Sequence, residues 1–253
     1  MKRLILILLF LTFLSGCATV YNPATRKKEF ILIDTRSEVA LGQKIDAQIR
    51  KEYIVEPDNA AQQRARRLGQ DVARACERKG LEYHFLVLRH KGDKEELNAF
   101  STPGGYVYIL KDLMDEATDD ELVGVIAHEV GHIAAKHAVK RLQASMGYDI
   151  LMSLAFSKES VVLIKSTMDI VSNLVVLGYS RKDELEADRL AVRYTYKAGY
   201  DPYGLVTFMQ KLEAEHKDNA PAIINFLRTH PPHSQREELL KEEIVGLSGG
   251  GVK

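Results

Sequence analysis

Apolar and polar positions recur along this chain with two periods, and the switches between them mark out its elements. From Ser37, a candidate cap, Val39, Ile45 and Ile49 follow at helical spacing. After the Pro57-Asp58 break, Ala61, Ala65, Leu68, Val72 and Ala75 make the stripe of a second helix, predicted to run to Lys79 and to end at Gly80. Arg64, Arg66 and Arg67 on it read as a solvated face. Leu81, Tyr83, Phe85 and Val87 then alternate with more polar neighbours, predicting a strand over Leu81 to Arg89. Beyond a charged turn, Asn98-Ala99-Phe100 and Tyr106 to Leu110 read as short strands joined by Ser101-Thr102-Pro103-Gly104-Gly105, which gives a small antiparallel sheet.

The second half reads as helical. Thr118-Asp119-Asp120-Glu121 is a capping box, and Leu122, Val125, Ile126 and Ile133 give the helix behind it a core side. Gly124 and Gly131 each cost about 1 kcal/mol there relative to Ala, so another backbone is expected to pack closely. Met146 to Leu177 is apolar but interrupted by Lys158, Glu159, Lys165 and Asp169, which argues against a membrane span; it reads as core helices or as a mobile, membrane-touching cover. Ser180 caps a helix ending at Ala198-Gly199, and Asp201-Pro202 opens another. A short element is expected over Ile223 to Leu227, then a last helix capped by Ser234-Gln235-Arg236-Glu237. The fold class is mostly helical α+β: residues 1–17 as signal, 18–33 as tether, 34–247 as one domain and 248–253 as a frayed tail.

Composition adds two constraints. Lys+Arg and Asp+Glu balance at 35 each, so no net field draws nucleic acid or an anionic surface. The start differs from the rest: Lys2-Arg3, an apolar run from Leu4 to Leu14, then Leu14-Ser15-Gly16-Cys17, an export signal closing on a lipoprotein cleavage box. Lipidation of Cys17 would anchor the chain to a membrane, and Ala18 behind it favours the outer one. Cys76, the other cysteine, is then left without a disulfide partner and reads as a small buried apolar residue.

The chemistry centres on His128-Glu129-Val130-Gly131-His132. Histidines at i and i+4 on a helix stand about 40° apart and can close on one tetrahedral zinc ion. Glu129 beside them has the reach of a general base. A catalytic zinc takes three protein ligands, so one is missing. Glu184 and Asp188, i and i+4 on a later helix, can share a face; one carboxylate could bind metal and the other accept a ligand ring N–H, although such a pair is commonly a solvated face. Ala187 and Ala191 beside them favour close packing.

These segments, with Ser180-Arg181-Lys182-Asp183-Glu184-Leu185-Glu186-Ala187-Asp188 and Thr229-His230-Pro231-Pro232 following in order, resemble the HtpX and CAAX-prenyl-protease type of zinc metallopeptidase, in its periplasmic lipoprotein branch, over roughly Ile31 to Leu247. The resemblance implies a zincin-like fold and one zinc per chain, held by His128, His132 and Glu184, with Glu129 as base and Asp188 behind the ligands. It makes Asn98, Ala99 and Phe100 a strand that pairs with extended peptide. His230 would either stabilise the tetrahedral intermediate or fill the open position in a latent state, and otherwise is a histidine in a proline turn. Arg236 matches an arginine near the site but could be an exposed helix charge. His137 recurs in the family pattern with no role that chemistry assigns, and His84, His90, His216 and His233 read as surface or structural. Without a spanning helix, prenylated-protein cleavage is not expected, and neither is partner docking through the helical-repeat extension that some relatives carry after the position of Leu247. The expected activity is endoproteolysis of unfolded or misassembled outer-membrane proteins at the periplasmic face of the outer membrane. The rivals are a latent or chaperone-like lipoprotein and a peptidase left in the cytoplasm.

Overall fold

The segment Tyr106-Val107-Tyr108-Ile109-Leu110 has no polar face, the pattern of a strand covered on both sides. In the computed structural model, which describes residues 19–92, 94–146, 153, 178–216, 230 and 234–249, it is an inner strand of the main sheet. The chain runs β1 (Thr19–Asn22), β2 (Lys27–Phe30), α1 (Thr35–Glu52), β3 (Ile54–Val55), α2 (Asn59–Ala75), β4 (His84–Arg89), β5 (Ala99–Thr102) and β6 (Tyr106–Leu110). It continues through α3 (Lys111–Glu116), α4 (Asp119–Ala134), α5 (His137–Met146), α6 (Arg181–Lys197), α7 (Gly204–His216) and α8 (Ser234–Gly249). The signal with Cys17, the apolar stretch after Met146, the element expected at Ile223 to Leu227, His233 and the last four residues fall outside the described residues.

The sheet has the order β3-β4-β6-β5 and is mixed rather than antiparallel. β5 and β6 form the expected hairpin, but β4 pairs with β6 in parallel, His84 opposite Tyr106 and Leu88 opposite Leu110. The charged turn after β4 is a crossover that carries the chain past β6 and leaves β5 at the edge. The alternation of β6 then builds two cores. Val107 and Ile109 join Phe85, Val87 and Ala99 beneath α2, α3 and α4, while Tyr106, Tyr108 and Leu110 join Phe100, Leu88 and the Leu41, Ile45 and Ile49 stripe of α1. The mostly helical α+β class is the one observed.

Three local expectations shift. Asp34, not Ser37, caps α1, accepting the Ser37 N–H at 2.8 Å. α2 stops at Ala75 with Cys76 as its cap, short of Gly80. Cys76 is fully buried as expected, its sulfur 3.2 Å from the Tyr83 hydroxyl. The stretch expected as a tether is a docked hairpin of β1 and β2. Asn22 donates to the carbonyl of Ala134 at 3.0 Å, satisfying an end of α4 that would otherwise be unpaired.

Candidate active site

α4 carries the paired histidines, and the rest of the chain holds it at both ends. Its start shows the full reciprocal box: Thr118 Oγ1 accepts from the Glu121 N–H, and Glu121 Oε2 accepts the Thr118 N–H at 2.9 Å. Arg64 and Arg67 grip Asp119 at 2.7 Å each, and Arg64 also donates to the carbonyls of Met114 and Ala117 at 2.6 and 2.8 Å. The α2 arginines are therefore not simply a solvated face; Arg64 is a half-buried clamp on the start of α4. Every residue from Glu121 to Ala134 is buried.

The two glycines mark where other backbones cross. A Cβ on Gly124 would stand 2.5 Å from the Leu205 nitrogen, and one on Gly131 would stand 3.0 Å from the Ala187 carbonyl oxygen. The second crossing sets α6 against the histidines. His128 and His132 point the same way, Nε2 to Nε2 3.0 Å apart, and Glu184 reaches both, Oε2 3.4 Å from His128 Nε2 and Oε1 3.4 Å from His132 Nε2. His230 joins them, Nδ1 3.2 Å from His128 Nε2 and 3.2 Å from Glu184 Oε2.

Four donor atoms, all from buried residues, thus lie within 4.8 Å of one another. Zinc bonds of 2.0–2.2 Å to nitrogen and oxygen make the edges of a tetrahedron about 3.3–3.6 Å long. The separations of 3.0–3.4 Å lie within about 0.3 Å of that range and the donor set suits a divalent metal, so these residues fit one ion.

Behind the donors lies a second layer. Asp188 Oδ1 is 2.9 Å from His128 Nδ1. Arg236 forks onto Asp188 with two bonds of 2.8 Å, approaches Glu184 Oε2 at 3.1 Å and donates to the His230 carbonyl at 3.3 Å. Arg236 is buried, so it is not an exposed helix charge. Burial opposes the His128 cation, but Asp188 and Glu184 outweigh it and raise the His128 pKa to about 9. Burial drives His132 the other way, well below its ordinary value. Glu184 and Asp188 stay ionised against burial, the first through the charge of His230 and hydrogen bonds from the histidines, the second through Arg236.

Glu129 Oε2 accepts from Ser101 Oγ at 2.7 Å, and its Oε1 lies 3.2 Å from His230 Nε2. Ser101 belongs to β5, so the base and the sheet edge are joined directly. Ala99 and Phe100 are on that strand, Asn98 just ahead of it. The Asn98 side chain bonds Glu96 Oε1 at 3.0 Å, and its backbone carbonyl takes the Leu110 N–H at 2.9 Å. Three neighbours had no role assigned from the sequence: Ser101, Tyr179, whose ring stacks on His132 at 4.0 Å between centroids, and His137, whose Nδ1 is 2.9 Å from His132 Nδ1. Each adjoins a residue already noted, Phe100, Ser180 or the paired histidines, but nothing local tells which way its side chain turns.

The model of Peptidase family M48 matches residues 59–244. The chain is 30% identical over 168 residues to mitochondrial metalloendopeptidase OMA1 of Arabidopsis thaliana, covering 66% of this chain and 32% of that protein. It is 28% identical over 162 residues to metalloprotease LoiP of Escherichia coli (strain K12), covering 63% and 62%. It is 26% identical over 164 residues to the beta-barrel assembly-enhancing protease of the same organism, covering 59% and 32%. The chain thus spans between a third and two thirds of the length of these relatives. A match across most of the chain that contains α4, α6 and His230 decides the matter: the chain belongs to peptidase family M48.

Proposed function

We propose that this chain is a zinc-dependent endopeptidase. The observation that carries the reading is the convergence of His128, His132 and Glu184 on one point, with Glu129 next to them and held by Ser101. His128 and His132 would hold zinc through Nε2 and Glu184 through its carboxylate. Zinc so bound supplies Lewis acidity for the scissile carbonyl and brings the pKa of water down towards ~7.

The chain's own groups do the rest. Ser101 occupies Glu129 Oε2, so Oε1, on the His230 side, is the oxygen that would take the proton of the attacking water and return it to the leaving amine. Arg236 keeps Asp188 ionised, and Asp188 orients His128. β5 pairs with β6 alone among the described residues, so its other edge suits an extended peptide, the mode expected of Asn98 to Phe100.

The finer reading is a periplasmic enzyme, lipid-anchored through Cys17 to the outer membrane, that cleaves unfolded or misassembled envelope proteins. Its supports are the signal-like start, the named beta-barrel assembly-enhancing relative, and the fact that no helix among the described residues is long and apolar enough to cross a membrane. A latent state is the second reading, favoured by His230 Nδ1 standing among the donors, where it would have to withdraw before substrate entered.

Glu129→Gln should keep its zinc and lose 10²–10⁴-fold or more in cleavage of an unfolded outer-membrane protein. A Gln variant with full activity removes Glu129 from the mechanism, and cleavage that survives a chelator removes the metal. Incorporation of radiolabelled lipid by the full chain, lost in Cys17→Ser, tests the anchor.

A further inference from the structure

His137 is fully enclosed and has no part in the chemistry above. On a continuous helix a residue five beyond His132 would lie about 140° around the axis, out of reach of its ring. The chain breaks instead. Ala135 caps α4 and Lys136 adopts the left-handed conformation, with φ of +57°, unusual for a residue with a side chain. α5 then starts in a new direction and folds His137 back, Nδ1 to Nδ1 2.9 Å from His132. Among the described residues the far nitrogen of His137, Nε2, is paired with two carboxylates: Glu186 Oε2 at 3.3 Å and Asp183 Oδ1 at 3.6 Å. Glu186 is itself fastened by Lys27 of the β1–β2 hairpin at 2.5 Å.

The placement of protons follows from the carboxylate end. An ionised carboxylate only accepts, so His137 donates to Glu186 from Nε2 and turns Nδ1, its other nitrogen, to His132. The short approach between the two Nδ1 atoms needs one proton, and a His132 that offers Nε2 to a metal carries that proton on its own Nδ1. With Nδ1 protonated, His132 has its lone pair on Nε2, the atom turned towards His128 and Glu184. That is the tautomer a metal ion requires.

We propose that His137 is a positioning residue for the metal ligand His132. It accepts the His132 Nδ1–H, so fixing that ring's tautomer and orientation, and Glu186 holds it in turn. The two ligand histidines are thus secured by different devices, His128 by the Asp188–Arg236 pair and His132 by a histidine relay ending on the N-terminal hairpin. The inference rests on the reading of His132 as a ligand.

The test measures zinc affinity of the full chain by competition with a chromogenic chelator, the visible bands of the cobalt-substituted protein, and the Tm of the metal-stripped protein. The variants are His137→Ala, His137→Gln, Glu186→Ala and, as a control, His128→Ala. His137→Ala is expected to lose about 10–100-fold in affinity and to shift the cobalt bands; Gln, whose amide oxygen can accept, should recover part of both. Glu186→Ala should lose affinity in the same direction by a smaller factor. Wild-type affinity and bands in His137→Ala would overturn the proposal. So would a loss in affinity that follows the metal-stripped Tm and that Gln does not recover, which would make His137 a packing residue. If His137→Ala does not fold, Gln and Glu186→Ala decide by the same readings. Undiminished zinc binding in His128→Ala would fault the ligand set itself, a result separate from any outcome at His137.

Discussion

Ser101 and Arg236 show how individual side chains set the chemistry of their neighbours. The Ser101 hydroxyl holds one oxygen of Glu129, and a hydrogen bond to a charged acceptor contributes about 1.5–3 kcal/mol. Because that bond favours the ionised carboxylate, its removal slows the reaction only through lost aim; on that ground Ser101→Ala should reduce kcat/KM by about tenfold at unchanged zinc content, read by peptide hydrolysis alongside elemental analysis. An unchanged rate would mean that helix packing alone aims Glu129. Arg236 is the cation shared by the buried Asp188 and Glu184, so Arg236→Met leaves two carboxylates facing each other without it. The expected loss is about 3–5 kcal/mol in denaturant unfolding of the metal-stripped protein, the usual cost of breaking a buried pair from one side. The motif placed His128, His132 and Glu129 together because their spacing is internal to one helix. Arg236 could not be told from a surface charge, since a polar residue near a helix start looks the same whether it faces water or a buried acid.

The capped start of α4 was legible because Thr118 and Glu121 interact over three residues. Its partner in space was not: the clamp of Arg64 and Arg67 on Asp119 joins α2 to α4 across more than fifty residues. Those bonds hold the Asp119 pKa below its ordinary 3.8 against the opposing effect of burial. A group with a depressed folded pKa contributes its stability above the unfolded pKa and loses it as pH falls through the folded one. The stability difference between wild type and Asp119→Asn should therefore be present at pH 7 and close as pH falls below the ordinary carboxylate range, with a size of no more than ~1 kcal/mol because the pair is half-exposed. The glycines argue at this scale too. Gly124→Ala would push a methyl group against the backbone of Leu205 at 2.5 Å, where no side chain can give way. Thermal melts should show a loss of about 1–3 kcal/mol despite the better helix propensity of alanine. An equal or raised Tm would mean that α4 and α7 can separate at low cost. Strands were read from alternation, which identifies faces but not partners. That is why β4 and β6 were taken for members of an antiparallel sheet when they pair in parallel.

Across the whole molecule, the candidate metal site ties together α4, α6 and the residue ahead of α8, so a bound ion cross-links elements about a hundred residues apart in sequence. A ligand at 1,000 times its Kd adds about 4 kcal/mol to folding, provided the unfolded chain does not bind it. For a domain of this size that is a Tm shift of roughly 8–16 °C, lost on treatment with a chelator and regained with zinc. A melt indifferent to chelator would show that the four residues hold no tightly bound ion as the protein is isolated.

By itself the sequence determined the helices with local caps, the helical α+β class and the paired histidines with their acid, since each depends on residues within one or two turns of each other. It also carried the close approaches at Gly124 and Gly131, because a glycine inside a helix has a cost that only packing explains. The tertiary structure alone decided which atoms share the central point and what stands behind them: Arg236 beneath Asp188, Ser101 on Glu129, His137 on His132, and a docked hairpin where a tether was expected. Those contacts arise where separate elements cross, and the direction of a side chain at a crossing depends on the packing angle of two backbones, which no periodicity along one of them records.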